Sequence, residues 1–260
     1  MIDRMHICEE FKAYTDAYDS SDIKIKLKID HTYRVAQLSE TIAKSILLSD
    51  EDVDIAWCIG MLHDIGRFEQ VKRYGTFIDS QSIDHAQFGA DLLFEDGLAA
   101  RFLGDTVDVY GEVIEKAIRN HSAYRIEEGL SNRYAMFCNI LRDADKIDIL
   151  KVNTEIPQKD IINVPEEELN ASLISEQVLN AFYEEHAILR AYRKTPADFL
   201  VGIISLTYEL VYPKSYQLLD EQGYIYTFMD FHSDNPETEK KFTGIREHMR
   251  KFISDKIRCL

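Results

Sequence analysis

The chain has few of the residues that interrupt helices. Its 260 residues include only five prolines and 11 glycines, and no repeat or low-complexity stretch is visible. Proline ends or kinks a helix and glycine weakens one, so their scarcity leaves room for long helical segments. Apolar residues recur mostly at helical spacing. The sequence therefore predicts an all-α fold.

A long hydrophobic run is also lacking. The longest apolar-leaning stretch, from Phe199 to Tyr212, contains Glu209 and is shorter than the roughly 18 to 20 apolar residues that a membrane span needs. The first ten residues, MIDRMHICEE, carry charges and no apolar signal-peptide core. We therefore expect a cytoplasmic protein that does not bind membranes.

Cysteine is scarce and shows no metal-binding spacing. The four cysteines, Cys8, Cys58, Cys138 and Cys259, include no CxxC pair. Cys58 and Cys138 lie in apolar helical patterns, where a reduced cysteine packs as a small hydrophobic residue. Structural cysteines are therefore favoured over a zinc or disulfide framework.

Basic residues are outnumbered. The chain has 30 lysines and arginines against 46 acidic residues, for a formal net charge of −16. Sequence-independent binding to nucleic acid depends on a basic surface, so the charge balance excludes that function class. A small anionic ligand remains compatible with this charge if local cations or metal ions attract it.

The hydrophobic pattern predicts a series of helices and a division of the chain. Gly66 is interpreted as the end of the second helix, and Asp84, with Gln87 three residues later, as the cap of the third. We expect a helical core over 1–155 and a carboxy-terminal helical extension over 156–260, packed on the same domain. The predicted helices cover 31–48, about 52–64, 84–97, 111–121 and 132–152, then, after a connection over 153–168, 175–193 and 199–212, and a charged last helix after a turn at 234–236.

Histidine is placed where predicted helices begin or end. Only eight histidines occur in the chain, and His31, His63, His85 and His121 all lie at such ends in its first half. The stretch MLHDIGRFEQ adds Asp64 directly after an apolar run, where burial of two polar groups requires partners or a metal ion.

A second carboxylate, Asp145, lies on a helix whose other face is aliphatic. Helix ends that meet at one rim of a bundle can build a metal site, and imidazole suits transition ions better than magnesium. Taken singly, each of these residues also fits a cap or an ordinary core-edge position, and Asp143 and Asp148 offer the same chemistry as Asp145. The joint pattern favours the metal site.

These residues resemble a known family. The order His31, the doublet His63-Asp64 and then Asp145, with the stretch HDIGR, resembles the HD-domain superfamily of metal-dependent phosphohydrolases over residues 25 to 155, about half of the chain. The segments DHAQFGADLL and IRNHSAYRIEEGL are similar to those that carry two further histidines in binuclear members, including the HD-GYP branch. The resemblance implies an HD-domain helical bundle.

The resemblance also implies a ligand set. One cation would be held by His31, His63, Asp64 and Asp145, and a second by Asp64, His85 and His121. Two divalent transition ions are expected, drawn from Fe, Mn, Co, Ni and Zn.

The chain departs from the HD-GYP branch in two places. Ser122 stands where that branch has another histidine, and Glu128-Gly129-Leu130 stands in the region of its GYP tripeptide. These departures count against cyclic-dinucleotide hydrolysis and against a third metal ion.

The activity that the resemblance implies is hydrolysis of a phosphate ester or anhydride of a nucleotide or other small phosphorylated molecule, through a water that bridges the metals. Asp64 would be catalytic as the shared ligand. Arg67 replaces the family's lysine, and its planar guanidinium suits two phosphate oxygens. Lys146, next to Asp145, would stabilise developing charge or pair with Asp143.

Neighbouring residues receive supporting interpretations. Glu69 and Gln70 are predicted to support the ligands, because imidazole ligands usually donate their other N–H to an oxygen acceptor. The stretch KIKLK, residues 24 to 28, is interpreted as an entry segment with solvated lysines. Arg119, Arg125 and Arg133 are interpreted as a solvated basic face, with a role in specificity as the alternative.

Two other functions stay open at this point. Mixed-valent di-iron oxygenases resemble the same superfamily and use the same six ligands. The second is a signalling module whose metal site is vestigial or sensory. Against it, all six ligand residues are present, whereas a decayed site would be expected to have lost one. The carboxy-terminal helices either cover the pocket or form an interface in a homo-oligomer.

Overall fold

The computed structural model describes residues 1–19, 21–155 and 164–258. All regular secondary structure in these ranges is helical, so the predicted all-α fold is confirmed. Contacts group the chain into two compact units, Met1–Asp145 and Lys146–Leu260. The division falls inside one long helix, and the predicted boundary after residue 155 and the packing of the extension stay predictions. Half of the predicted 153–168 connection, and Cys259, lie outside the described residues.

The helices of the first unit enclose one apolar core. In the described ranges they are α1 (Arg4–Thr15), α2 (Ile23–Ser45), α3 (Asp50–Leu62), α4 (Ile65–Tyr74), α5 (His85–Ala90), α6 (Ala99–Leu103), α7 (Val107–Asn120) and α8 (Asn132–Glu155), the last continuing into the second unit.

The second unit contains shorter helices and one long terminal helix. In the described ranges these are α9 (Glu166–Ala171), α10 (Glu176–Tyr183), α11 (Pro196–Ile204), α12 (Pro213–Gln222), α13 (Tyr224–Met229) and α14 (Pro236–Arg258). Phe182, Phe228 and Phe242 are buried in its core. The helices predicted over 175–193 and 199–212 are shorter than expected, because the chain turns after Tyr183 and tightens into a 3₁₀ helix at Ser205–Glu209.

Helix α2 begins earlier than predicted. Asp22 caps it by accepting a hydrogen bond from the N–H of Lys24. Ile25, Lys28 and His31 then continue one buried face, since residues three apart lie on the same side of a helix. The prediction that the lysines of KIKLK are all solvated is therefore wrong for Lys28.

Gly66 does not end a helix, contrary to the prediction. Helix α3 ends at Leu62, and Gly66 lies inside α4, which itself ends at Gly75 with a φ of 68°. A Cβ at Gly66 would lie 2.7 Å from the backbone N of Gly89 and from the carbonyl O of His85. The glycine is therefore needed for the close packing of α4 on α5.

The start of α5 agrees with the prediction. The Asp84 side chain accepts hydrogen bonds from the N–H groups of Ala86 and Gln87. The predicted single helix over 84–97 is in fact α5 followed by a π-helical turn at Asp91–Glu95. The cap places His85 at the first position of the helix.

Two of the cysteines agree with the prediction of structural cysteines. Cys58 and Cys138 are buried and unpaired, as structural cysteines should be. Burial raises the pKa of both thiols, to about 11 for Cys138, so they are unreactive. Among the described helices, none has both the length and the apolar composition that crossing a membrane requires.

Candidate metal centre

Six side chains from five parts of the first unit meet in its interior. Five of them are almost fully buried, with residue exposures of 0 to 4%, whereas the Asp145 side chain is 24% exposed. They are His31 on α2, His63 and Asp64 at the junction of α3 and α4, His85 at the start of α5, His121 directly after α7, and Asp145 on α8.

The first group surrounds one oxygen of Asp64. The Nε2 atoms of His31 and His63 lie 3.3 Å apart, and they are 3.6 and 3.5 Å from Asp64 Oδ2. Asp145 Oδ1 lies 3.2 Å from His31 Nε2 and 3.9 Å from His63 Nε2. Three of these residues, His31, His63 and Asp64, form a group that can hold a metal ion.

The second group surrounds the other oxygen of Asp64. The Nε2 atoms of His85 and His121 lie 3.0 Å apart, and they are 3.6 and 3.7 Å from Asp64 Oδ1. This set also forms a group that can hold a metal ion. Asp64 therefore lies between two sets of nitrogen donors and offers one oxygen to each.

Hydrogen bonds at the other ring nitrogens determine where the imidazole protons lie. His63 Nδ1 is 2.8 Å from the carbonyl O of Gly60, and His121 Nδ1 is 2.7 Å from the carbonyl O of Ile118. A carbonyl oxygen only accepts, so each Nδ1 must donate, and Nε2 of a neutral ring keeps its lone pair. The nitrogens that face Asp64 are then electron-pair donors.

Burial keeps the rings of His63 and His85 neutral. It lowers the pKa of His63 to about 3, outweighing the attraction of the neighbouring Asp64 carboxylate. Burial also lowers the pKa of His85. Neutral imidazole is the form that binds metal ions.

The carboxylates remain ionised. Burial alone would raise the pKa of Asp64, but the positive charge of Lys28 and the contacts with His63 and His121 hold it well below its usual range. Burial alone would also raise the pKa of Asp145, but the neighbouring imidazoles of His31, His63 and His121 together outweigh it and lower that pKa. Both residues therefore carry negative charge at neutral pH.

The donors fit divalent transition ions. Asp64 Oδ1 is buried without a hydrogen-bond partner, which is costly for a charged oxygen unless a cation is bound. Two neutral imidazole nitrogens 3.0 Å apart, each with a lone pair, would likewise repel each other unless a cation lay between them. Nitrogen and carboxylate donors together suit Fe, Mn, Co, Ni or Zn.

Two charged residues beside the cluster had not been predicted. Lys28 Nζ lies 2.6 Å from Asp64 Oδ2, in a buried ion pair. Asp79, in the loop between α4 and α5, accepts a hydrogen bond from His85 Nδ1 at 2.7 Å. Lys28 could have been predicted from its position one helical turn before His31, whereas no sequence pattern marked Asp79.

Arg67 is held mainly by the protein itself. Its Nη1 lies 2.7 to 2.8 Å from Gln70 Oε1, the carbonyl O of Phe77 and Asp79 Oδ1, and its two N–H groups are shared among these three acceptors. Its Nε is buried without a hydrogen bond and lies 3.6 Å from Asp64 Oδ1. The phosphate role expected for Arg67 is left as a prediction.

The other predicted residues are distributed differently. Gln70 is connected to the cluster through Asp79 and Arg67, and Glu69 binds Tyr18, Lys72 and Arg73 instead. The prediction that Glu69 supports a ligand is therefore wrong.

Lys146 is half-buried and follows Asp145 on α8, and its role stays a prediction. The flanking arginines are surface residues: Arg119 and Arg133 form ion pairs with acidic neighbours, and Arg125 lies over the Tyr124 ring.

Comparison with known proteins agrees with this description. The first unit is helical and contains two histidine and aspartate groups that share Asp64, which is the arrangement expected of a helical metal-binding protein. Residues 29–153 match the family model of the HD domain. This match covers a little under half of the chain, makes that segment similar to the HD domain and supports membership of the HD superfamily. Comparisons with curated proteins and with solved structures gave no significant match.

Proposed function

We propose that the chain is a metal-dependent phosphohydrolase that cleaves a phosphate ester or anhydride of a nucleotide or other small phosphorylated molecule. The HD superfamily is generally hydrolytic, and the segment similar to the HD domain contains the two histidine and aspartate groups that share Asp64. The observation that carries the proposal is Asp64, whose Oδ2 faces His31 and His63 while its Oδ1 faces His85 and His121.

Two divalent ions at these positions would supply an activated water and offset the charge of the phosphoryl oxygens. The protein residues hold the donors in place: Lys28 fixes Asp64 Oδ2, and backbone carbonyls fix the rings of His63 and His121. Burial of the five inner side chains keeps bulk water away and strengthens electrostatic interactions.

A substrate would approach at Asp145. It is the most exposed of the six side chains, at 24%, whereas Asp64 is 2% exposed. Arg67 can contribute only through the part of its guanidinium that does not bind Gln70, Phe77 and Asp79.

The test combines metal content with reaction class. Elemental analysis of the purified protein is followed by an anaerobic screen of phosphorylated metabolites with added Mn²⁺, with phosphate release as the readout and Asp64→Ala as the matched control. We expect about two ions per chain and phosphate release that the control lacks.

Other outcomes point to the alternative functions. Oxygen consumption with a mixed-valent iron spectrum, and no anaerobic turnover, would replace the proposal with di-iron oxygenase chemistry. Bound metal without turnover of any substrate class would favour a signalling module.

A further inference from the structure

Asp79 connects the cluster to the loop between α4 and α5. Its Oδ2 lies 2.7 Å from His85 Nδ1. Its Oδ1 accepts hydrogen bonds from Arg67 Nη1 at 2.8 Å and from Gln70 Nε2 at 3.0 Å. The two oxygens of this carboxylate therefore have separate partners.

The orientation of Asp79 is determined by Gln70. The Gln70 side chain is fully buried. Its Nε2 also lies 2.9 Å from Ser82 Oγ and 3.0 Å from the carbonyl O of Ile83, so its two N–H groups are shared among three acceptors, while its Oε1 accepts from Arg67. Because both Gln70 and Arg67 donate to Oδ1 of Asp79, only Oδ2 is available to His85.

His85 obtains its proton position differently from His63 and His121. Those two rings donate to the carbonyl three residues earlier in their own helices. His85 is the first residue of α5, so no preceding helical turn offers such a carbonyl. The Asp79 carboxylate supplies the acceptor instead, and His85 Nε2 is left as a lone pair 3.6 Å from Asp64 Oδ1.

We infer that Asp79 is a positioning residue that fixes the tautomer of His85 and thereby allows the second group to bind its cation. The inference rests on the proposed function only through the two-cation site, and it concerns affinity for the second cation. Carboxylates that accept from the outer nitrogen of a histidine ligand orient the ring and increase its basicity.

The substitution Asp79→Asn tests this directly. Arg67 and Gln70 still donate toward the former Oδ1, so the amide oxygen should occupy that position and its NH₂ should face His85 Nδ1. An NH₂ group can only donate, which forces the His85 proton onto Nε2. The nitrogen that faces Asp64 then has no lone pair for a metal ion.

The measurements are ¹⁵N spectra of the histidine rings in metal-free protein and titration calorimetry with Mn²⁺. For the wild type we expect His85 protonated at Nδ1 and two Mn²⁺ ions bound. For Asp79→Asn we expect protonation at Nε2, one ion bound as before, and the second bound about 10- to 100-fold more weakly.

Asp84→Asn is the matched control. It removes the same charge next to His85, but Asn caps a helix as well as Asp does. We expect wild-type spectra and two wild-type affinities from this variant. A second-ion loss equal to that of Asp79→Asn would mean that local charge, rather than the tautomer, controls the site, and the inference would be rejected.

Three further results would overturn the inference. The first is a wild-type His85 that is protonated at Nε2, and this measurement does not depend on the folding of any variant. The second is unchanged binding of the second ion in Asp79→Asn. The third is a wild type that binds fewer than two ions. Turnover is not a readout here. A wild type that binds two ions without releasing phosphate would end the proposed function and leave the role of Asp79 standing.

Discussion

The two sides of Asp64 are built from different kinds of structure. On the Oδ2 side, His31 and Asp145 lie within the long helices α2 and α8, and the cation Lys28 is 2.6 Å from the oxygen. On the Oδ1 side, His85 and His121 lie at helix ends, and the oxygen has no hydrogen-bond partner. The two proposed cation positions thus share one carboxylate but have different surroundings, and we expect them to bind cations with unequal affinity.

Removing the carboxylate that both sides share should have the largest effect. In the proposed site, Asp64→Ala would remove the oxygen donor of the second group and the bridging donor of the first. We expect loss of both ions by elemental analysis and of all phosphate release. Full activity on the best substrate would show that Asp64 does not bridge two ions.

Removing a ligand from one side should separate the two positions. His85→Ala leaves His31, His63, Asp64 and Asp145 unchanged, so one ion should remain while the second is lost. Mn²⁺ titration calorimetry measures the count, and His121→Ala should reproduce it because the two rings share Asp64 Oδ1. A fall to zero ions in either variant would contradict this division of the ligands.

Lys28 should contribute most to the free energy of unfolding when no metal is bound. Lys28→Met removes the close cation of a buried pair, and an uncompensated buried carboxylate typically costs about 3 kcal/mol of unfolding free energy. Saturating Mn²⁺ should reduce that difference, because the ion then compensates Asp64. Urea unfolding with and without Mn²⁺ measures both values, and an equal loss in the two conditions would argue against this coupling.

The metal-free protein should lose stability as the pH falls. The pKa of His63 is about 3 in the folded state, against about 6.5 in an unfolded chain. Between these values the unfolded state binds a proton that the folded state does not, so the stability that is present above about pH 6.5 declines toward pH 3. The lowered pKa of His85 acts in the same direction.

Thermal unfolding from pH 7 to pH 5 measures this dependence. The variant His63→Gln should show a shallower decline, since it has no imidazole to protonate. A slope identical to that of the wild type would exclude His63 as its source.

The smallest effect is expected from Arg67→Ala. The substitution removes one of the two donors to Asp79 Oδ1 but leaves Gln70 in place. We expect affinity for the second Mn²⁺ to fall several-fold, by less than in Asp79→Asn, with the first ion unaffected. If metal binding is unchanged and only the KM for the phosphorylated substrate rises, Arg67 has the substrate role expected from the sequence.

Glu69→Gln is a control on the same helix. The hydrogen bonds of Glu69 go to Tyr18, Lys72 and Arg73, so its substitution should leave both ions bound.

Several features of the fold and the cluster could be predicted because they are local. Spacing of apolar residues indicated the helices around His31 and Asp145, and the cap at Asp84 follows from residues three positions apart. The order of the four histidines and two aspartates indicated the group that the structure brings together, although their role as ligands remains a proposal.

Other features could not be predicted because they depend on distant segments. Gly66 was predicted to end a helix, but a glycine is needed there because the backbone of α4 approaches α5 closely at this position. Asp79 has no motif, and its contact with His85 exists only because Gln70 and Arg67 hold the loop between α4 and α5.

The amino-acid order by itself determined that the chain is helical, and it carried the six residues from which a paired-cation site can be proposed. Only the tertiary structure decided that each oxygen of Asp64 faces its own pair of imidazoles. It also decided that Lys28 is buried against Oδ2 of Asp64 and that Asp79 orients His85. Helical periodicity is a property of neighbouring residues, whereas the tautomer of a buried ring depends on the atom packed against its far nitrogen.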